Sequence, residues 1–185
     1  MKRMLWDLES SPNIGLFWKP GYKVSLSHDN IIQERAIICI CWKWEGEKKV
    51  HHLEWDKGDD RKLCADFLKV ALEADELIAH NGAIYDIKFF NGRCIFHGLD
   101  PAPIWKTVDT LAIARKRFGF NSNRLDYIGK FLCNEGKIST EYGLWKDILL
   151  LNCPKAMAKM VKYCKQDVVL LEKVWQKMAP YHGSK

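Results

Sequence analysis

The chain has no apolar run approaching the length of a membrane span, and residues 1–9 are too short and too acidic for a signal peptide. It also has no internal repeat, low-complexity tract or linker. A repeat array is therefore excluded, and a single domain over residues 1–185 is expected. Its seven cysteines are an odd number, and no Cys-x-x-Cys pair occurs among them. Both a disulfide framework and a zinc site are disfavoured, and a reducing, intracellular (cytoplasmic) setting is expected. Cys39 and Cys41 stand in a continuous apolar run, where small buried thiols fit.

What is present is core material. Hydrophobic residues make up 48% of the 185, with eight tryptophans, which argues against disorder and is ample for a real core. The formal net charge of +6 permits a polyanionic partner without demanding one.

The stretch Met4-Leu5-Trp6-Asp7-Leu8-Glu9 reads as a strand interrupted by two carboxylates. Alternation places Asp7, Glu9 and Leu5 on one face and Met4, Trp6 and Leu8 on the other. The Cα atoms of the two acids would lie roughly 6.5 Å apart, close enough to share a cation. Desolvated carboxylates need a positive partner. Among 23 acidic residues, however, one such spacing arises easily by accident, and two solvated acids at a strand end is the plain alternative.

After a turn-rich stretch from Ser10 to Gln33, the β-branched runs Ile37–Trp44 and Val50–Trp55 flank a turn at Glu45–Lys48 and read as a hairpin. Within Ser10–Gln33, Leu16–Trp18 and Val24–Leu26 suit either short strands or a covering loop. Asp59 or Asp60 caps a helix with Leu63, Phe67, Leu68 and Ala71 on its apolar face. Leu77–Ala79 forms a short strand, Asn81-Gly82 a turn, and Ile84–Phe96 a helix closed by Gly98. A strand over Ile104–Val108 precedes a helix capped by Thr107 or Asp109 and running to Phe118. Ser122 or Asn123 opens another helix bearing Leu125, Ile128 and Leu132. Asn134–Tyr142 reads as a loop, and Pro154 opens a helix to about Met178. The order predicts an α/β fold: a mixed sheet of about five strands with an N-terminal antiparallel hairpin, flanked by helices on both sides.

In the last helix Met157, Met160, Cys164, Leu171, Trp175 and Met178 mark the buried stripe, and Asp167 falls inside it with Tyr163 one turn earlier. A lone acid in an apolar stripe usually has a partner, and a buried salt bridge is the plain reading. Asp86 begins its helix, where acids are favoured by the macrodipole in any case.

Together, in order, Asp7-Leu8-Glu9, Asn81-Gly82-Ala83-Ile84-Tyr85-Asp86 and Tyr163-Cys164-Lys165-Gln166-Asp167 resemble the three motifs of the DEDD family of 3′–5′ exonucleases. That group has a ribonuclease-H-like fold and includes polymerase proofreading domains and ribonuclease D. The Tyr-x-x-x-Asp form resembles the tyrosine branch, DEDDy, and the Ala156–Cys164 run resembles small stand-alone phage and bacterial members. The likeness spans Met4 to Tyr181. It implies a two-metal phosphodiester hydrolase using Mg²⁺ or Mn²⁺, which suits a set of carboxylates without Cys or His. By the same resemblance Asp7 bridges two cations, Glu9 and Asp167 complete one, and Asp86 supports the other. Tyr163 orients the attacking water, Asn81 holds terminal nucleotides and Leu8 lines the 3′-terminal pocket. The implied partners are single-stranded or frayed 3′ ends of nucleic acid, DNA favoured, and a separate polymerase. A monomer with no membrane association, in a bacterial or phage-infected cell, is expected.

Other features carry plainer readings. Lys155, Lys159 and Lys162 suit a solvated face, and Arg115–Arg117 a helix end. Phe17, Trp18 and Tyr22 suit packing as well as base stacking. His80 suits packing, Asp109 a cap and Asp126 the surface. The competing functions are an exoribonuclease of ribonuclease D type, a non-catalytic module binding nucleic-acid ends, and a ribonuclease-H-like endonuclease. Retention of all four acids disfavours the second, and Tyr163 disfavours the third.

Overall fold

Strand β1, Arg3–Ser10, lies at the centre of a five-stranded sheet and separates its two cores. The structure is a computed structural model describing residues 1–21 and 23–183; Tyr22, considered above for stacking, lies outside the described residues. On one face Leu5 joins the cluster formed with Val168, Leu171 and Trp175. On the other, Met4, Trp6 and Leu8 pack with Leu63, Phe67 and Phe90. Trp6 stacks on Phe67 with ring centroids 5.2 Å apart, and Phe90 meets Phe67 edge-on at 5.3 Å. The alternation of β1 is therefore the partition between the two helical layers.

After β1 the chain makes a small arm of β2 (Ile14–Gly15) and β3 (Ile31–Gln33), then β4 (Ile37–Trp44) and β5 (His51–Glu54). Helix α1 (Arg61–Ala71), β6 (Glu76–Ala79), α2 (Asp86–Phe96) and β7 (Lys106–Asp109) follow. Four helices complete the fold: α3 (Thr110–Arg117), α4 (Leu125–Cys133), α5 (Gly143–Leu151) and α6 (Pro154–His182). The sheet order is β5–β4–β1–β6–β7. The hairpin β4–β5 and the β1–β4 pair are antiparallel, whereas β1, β6 and β7 run parallel. This is the α/β arrangement of mixed sheet and flanking helices that the sequence predicts.

Several local expectations are corrected. Of the two readings of Leu16–Trp18 and Val24–Leu26 the loop holds, and the strands of the arm lie elsewhere, pairing Ile14 with Gln33 and Gly15 with Ile31. Helix α2 begins at Asp86 rather than Ile84, because residues 81–85 are consumed by the turn that leaves β6. The strand expected at Ile104–Val108 is shifted to Lys106–Asp109. Residues 143–151 form α5, a helix that no sequence period predicts. Asp59, not Asp60, meets the start of α1, accepting the Arg61 N–H at 2.9 Å. The Asp60 carboxylate turns inward, where it is fully buried. It accepts the Ile37 N–H at 2.7 Å, a two-pronged bond from Arg93 at 2.7 and 2.8 Å, and lies 2.6 Å from His97 Nε2. That cluster ties β4, α1 and α2 together by charge-assisted bonds, which keeps the buried acid ionised. Asp109 caps α3 as expected, accepting the Leu111 and Ala112 N–H groups.

Candidate active site

Parallel pairing of β1 with β6 stops at Leu5–Ile78, so Asp7 and Glu9 lie beyond the end of their neighbour. On the other side Asp7 stands opposite Cys41 and Glu9 opposite Cys39, and the register shifts between Glu9 and Ser10. The acids thus sit at the C-terminal edge of the parallel strands, where β1 has a parallel neighbour on one side and an antiparallel one on the other. In open α/β sheets such an edge is where ligands bind.

Three elements converge there. Strand β1 brings Asp7 and Glu9, α6 brings Asp167 across the sheet, and the turn after β6 brings Asp86. Carboxylate oxygens of Asp7, Glu9 and Asp167 all lie within 4.8 Å of one another. Asp86 stands outside this triad but couples to Asp7 by charge, and it accepts the Leu8 N–H as well as its own at the start of α2. Its placement depends on Gly82: a Cβ there would come within 2.3 Å of Ala79 Cβ, so the turn closes only without a side chain. The next position back, Asn81, adopts left-handed backbone with φ 70°, and its N–H donates to Asp109 Oδ1 at 2.9 Å. Cys39, Cys41 and Cys164 lie buried beneath the acids, as expected of small core thiols. The Cys164 thiol lies 3.5 Å from the Asp7 carbonyl oxygen.

Crowded carboxylates raise one another's pKa. Loss of hydration, then the charges of Asp86, Glu9 and Asp167, push Asp7 well above the carboxylate range. Burial and Asp167 raise Glu9 to about 8. Burial raises Asp86 to about 6 against the pull of its two backbone N–H groups. Burial also raises Asp167, against Lys137, and it takes the Tyr163 hydroxyl up to about 12. Lys137 offsets only part of this crowded acid charge, and a cation among the carboxylates would relieve the rest. Oxygen-only donors fit hard divalent ions, and Asp167 Oδ1 is buried with no hydrogen-bond partner, leaving one oxygen aimed at nothing.

Lys137 is the functional candidate the sequence reading missed. Its ammonium donates to Asp167 Oδ2 at 2.6 Å and to the Tyr163 hydroxyl at 3.5 Å. Burial works against that charge, but Asp167 and Asp7 hold its pKa above the ordinary lysine value. The loop carrying it is fixed at two points: Lys137 N–H donates to Asp126 Oδ1 at 2.8 Å, and Gln166 donates to the Gly136 carbonyl at 3.1 Å. Asp126, expected only as a surface residue, is therefore also the anchor of this loop.

The other expected residues divide. Asn81 lines a cavity of about 490 Å³ with His80, Arg115, Arg124 and Lys137, directly beside the acids. Leu8 is 5% exposed and packs in the α1–α2 core. His80 links α3 and the following loop, its ring nitrogens 2.9 Å from Thr110 Oγ1 and 3.0 Å from the Asn123 carbonyl oxygen. Lys155, Lys159 and Lys162 are exposed. No helix among the described residues is long and apolar enough to cross a membrane.

This fold, with carboxylates gathered at the sheet edge, defines a class, and the comparison of sequences agrees. Residues 32–179 match the family model described as the RNase_H superfamily. The chain belongs to the RNase H superfamily, whose nucleases use divalent metals. Among solved structures it is similar to the family B DNA polymerase from the hyperthermophilic archaeon Pyrobaculum calidifontis. The TM-score is 0.72 and the identity 15%, over 97% of this chain and 25% of that one. The chain thus spans about a quarter of that polymerase's length. No curated protein matches the chain.

Proposed function

We propose that this protein is a metal-dependent 3′–5′ exonuclease of the DEDDy type, releasing nucleoside 5′-monophosphates from unpaired 3′ ends, DNA in the first place. The observation that carries this reading is the convergence of Asp7, Glu9 and Asp167 oxygens, with Asp86 coupled to them, at the end of the parallel strands. Asp7, Glu9 and Asp167 would hold one divalent cation, and Asp7 with Asp86 a second, Mg²⁺ or Mn²⁺. Bound there, such ions supply hydroxide near neutral pH and stabilise charge on the leaving oxygen.

The remaining roles fall to side chains. Tyr163 keeps its proton at neutral pH, since its pKa lies at about 12, and its hydroxyl orients the attacking water. Lys137 holds Asp167 and Tyr163 in place and offsets part of the acid charge. Asn81 is assigned the terminal nucleotides, a role supported by the two arginines beside it, which suit phosphates. Leu8 is assigned the floor of the terminal pocket on the family resemblance. The likeness to a polymerase supports action beside a separate polymerase.

The test is 5′-labelled single-stranded DNA and RNA with Mg²⁺ or Mn²⁺, products resolved by length. A ladder shortening stepwise from the 3′ end is expected, faster on DNA and absent in EDTA. A single internal cut, or undiminished cleavage in chelator, overturns the reading.

A further inference from the structure

We infer that the groove between the β2–β3 arm and α5 holds unpaired bases of the substrate strand upstream of the cleaved bond, an inference that rests on the exonuclease reading above. The groove encloses about 720 Å³, within the range of roughly 300–1,000 Å³ typical of organic-ligand sites. It adjoins the acids. Trp145, on its wall, donates its indole N–H to the Ser10 carbonyl at 3.1 Å, and Ser10 directly follows Glu9. From the opposite side the Tyr85 hydroxyl, one residue before Asp86, meets Ser10 Oγ at 2.8 Å. A strand with its last phosphodiester on the carboxylates has the groove as a neighbouring compartment.

The lining chemistry selects the occupant. Phe17 and Tyr142 both show more than half of their surface. Lys146 stands beside Tyr142, its ammonium 5.6 Å from the ring centroid; His28 also lines the groove, its Nε2 3.3 Å from Asp29 Oδ1. Among the described residues no aspartate or glutamate lines the groove itself, and Asp29 beside it is paired with His28. Exposed rings stack on any base, a lysine matches the phosphates, and the lack of carboxylates removes repulsion from a polyanion. The arm also carries Lys19 and Lys23 to the surface and a fully exposed Trp18. Packing, the other role open to Phe17 and Trp18, does not account for such exposure.

The arm is a built element. Leu16 N–H donates to the Asn30 carbonyl at 2.9 Å, and a Cβ on Gly15 would come within 2.9 Å of that same oxygen. Ser27 and Asn30 close a reciprocal cap at its base. Phe17 is therefore presented from a held position, which lowers the ordering cost of stacking.

The experiment measures binding apart from turnover: anisotropy of a labelled single-stranded oligonucleotide of about ten nucleotides in Mg²⁺, in an Asp7→Asn background. Phe17→Ala with Tyr142→Ala is expected to weaken binding about ten- to a hundredfold, at unchanged melting temperature. Phe131→Ala, which removes an exposed ring outside the groove, should bind like the background. Equal affinity in the double variant overturns the inference and leaves the groove to a protein partner, while a persisting cleavage ladder keeps the exonuclease reading. Equal loss on a dinucleotide and on the longer strand also overturns it, by placing the groove at the reacting bond itself. A protein with intact Asp7 that shortens no strand with either metal overturns the exonuclease reading and this inference together.

Discussion

Asp167 and Tyr163 lie one turn apart on α6 and touch the same lysine, yet their chemistry predicts different losses. Asp167→Asn removes the charge of a proposed metal ligand, so activity should stay suppressed at any practical Mg²⁺ concentration. Tyr163→Phe keeps the ring and should fold and bind metal normally. It loses one positioned hydrogen bond worth about 1.5–4 kcal/mol in the transition state, or roughly ten- to a thousandfold in rate. Single-turnover cleavage at saturating Mn²⁺ checks both; an unchanged Phe variant would remove Tyr163 from the mechanism. Glu9 makes a prediction about pH. Its pKa is raised from 4.5 to about 8 in the folded protein, so between those values the native state binds more protons than the unfolded chain. Stability from this group is full below about 4.5 and falls as pH rises toward 8. In EDTA the melting temperature should decline from pH 5 to pH 8.5, and Glu9→Gln should flatten that slope; parallel curves for the two proteins would contradict it.

At the scale of elements, the turn between β6 and α2 and the Asp60 cluster are the joints that set the site. Gly82→Ala drives a Cβ into Ala79. Overpacking of this kind costs about 1–3 kcal/mol, and by displacing Asp86 it should lower turnover more than it lowers the melting temperature. Asp60→Ala strands Arg93 in a poorly hydrated pocket and should cost about 3–5 kcal/mol in urea unfolding. Asp60→Ala with Arg93→Leu should recover much of that loss, because no unpaired charge remains. These elements were unequally legible in the sequence. β1, the β4–β5 hairpin and α6 announce themselves through alternation or a long apolar stripe. α5 does not: Leu149, Leu150 and Leu151 run together, and with Leu150 and Leu151 largely exposed the helical period is blurred. β2 and β3 are too short to carry a period. Local spacing makes a cap of Asp60 as readily as of Asp59, and only its distant partners Arg93 and His97 reveal the other role. Lys137 was invisible for the same reason, sitting in an aperiodic loop 30 positions from Asp167.

For the molecule as a whole, the site concentrates like charge inside a protein that is otherwise net positive. Divalent cations that bind only the folded form stabilise it by mass action, about 2.7 kcal/mol at a hundred times Kd. Mg²⁺ or Mn²⁺ should therefore raise the melting temperature, most strongly near pH 8, and Asp7→Ala should lose that rise while melting no lower than the parent in EDTA. Differential scanning fluorimetry across metal concentration checks this. The site is also assembled from residues far apart in sequence: Cys164, which meets Asp7, lies 157 positions away from it, on α6. At about 5–20 residues per second, adding that many residues takes roughly eight to thirty seconds. For that interval a nascent chain carries Asp7 and Glu9 without Asp167. On the exonuclease reading, the carboxylate set is therefore incomplete on the ribosome until Asp167 has been made and α6 can pack on the sheet.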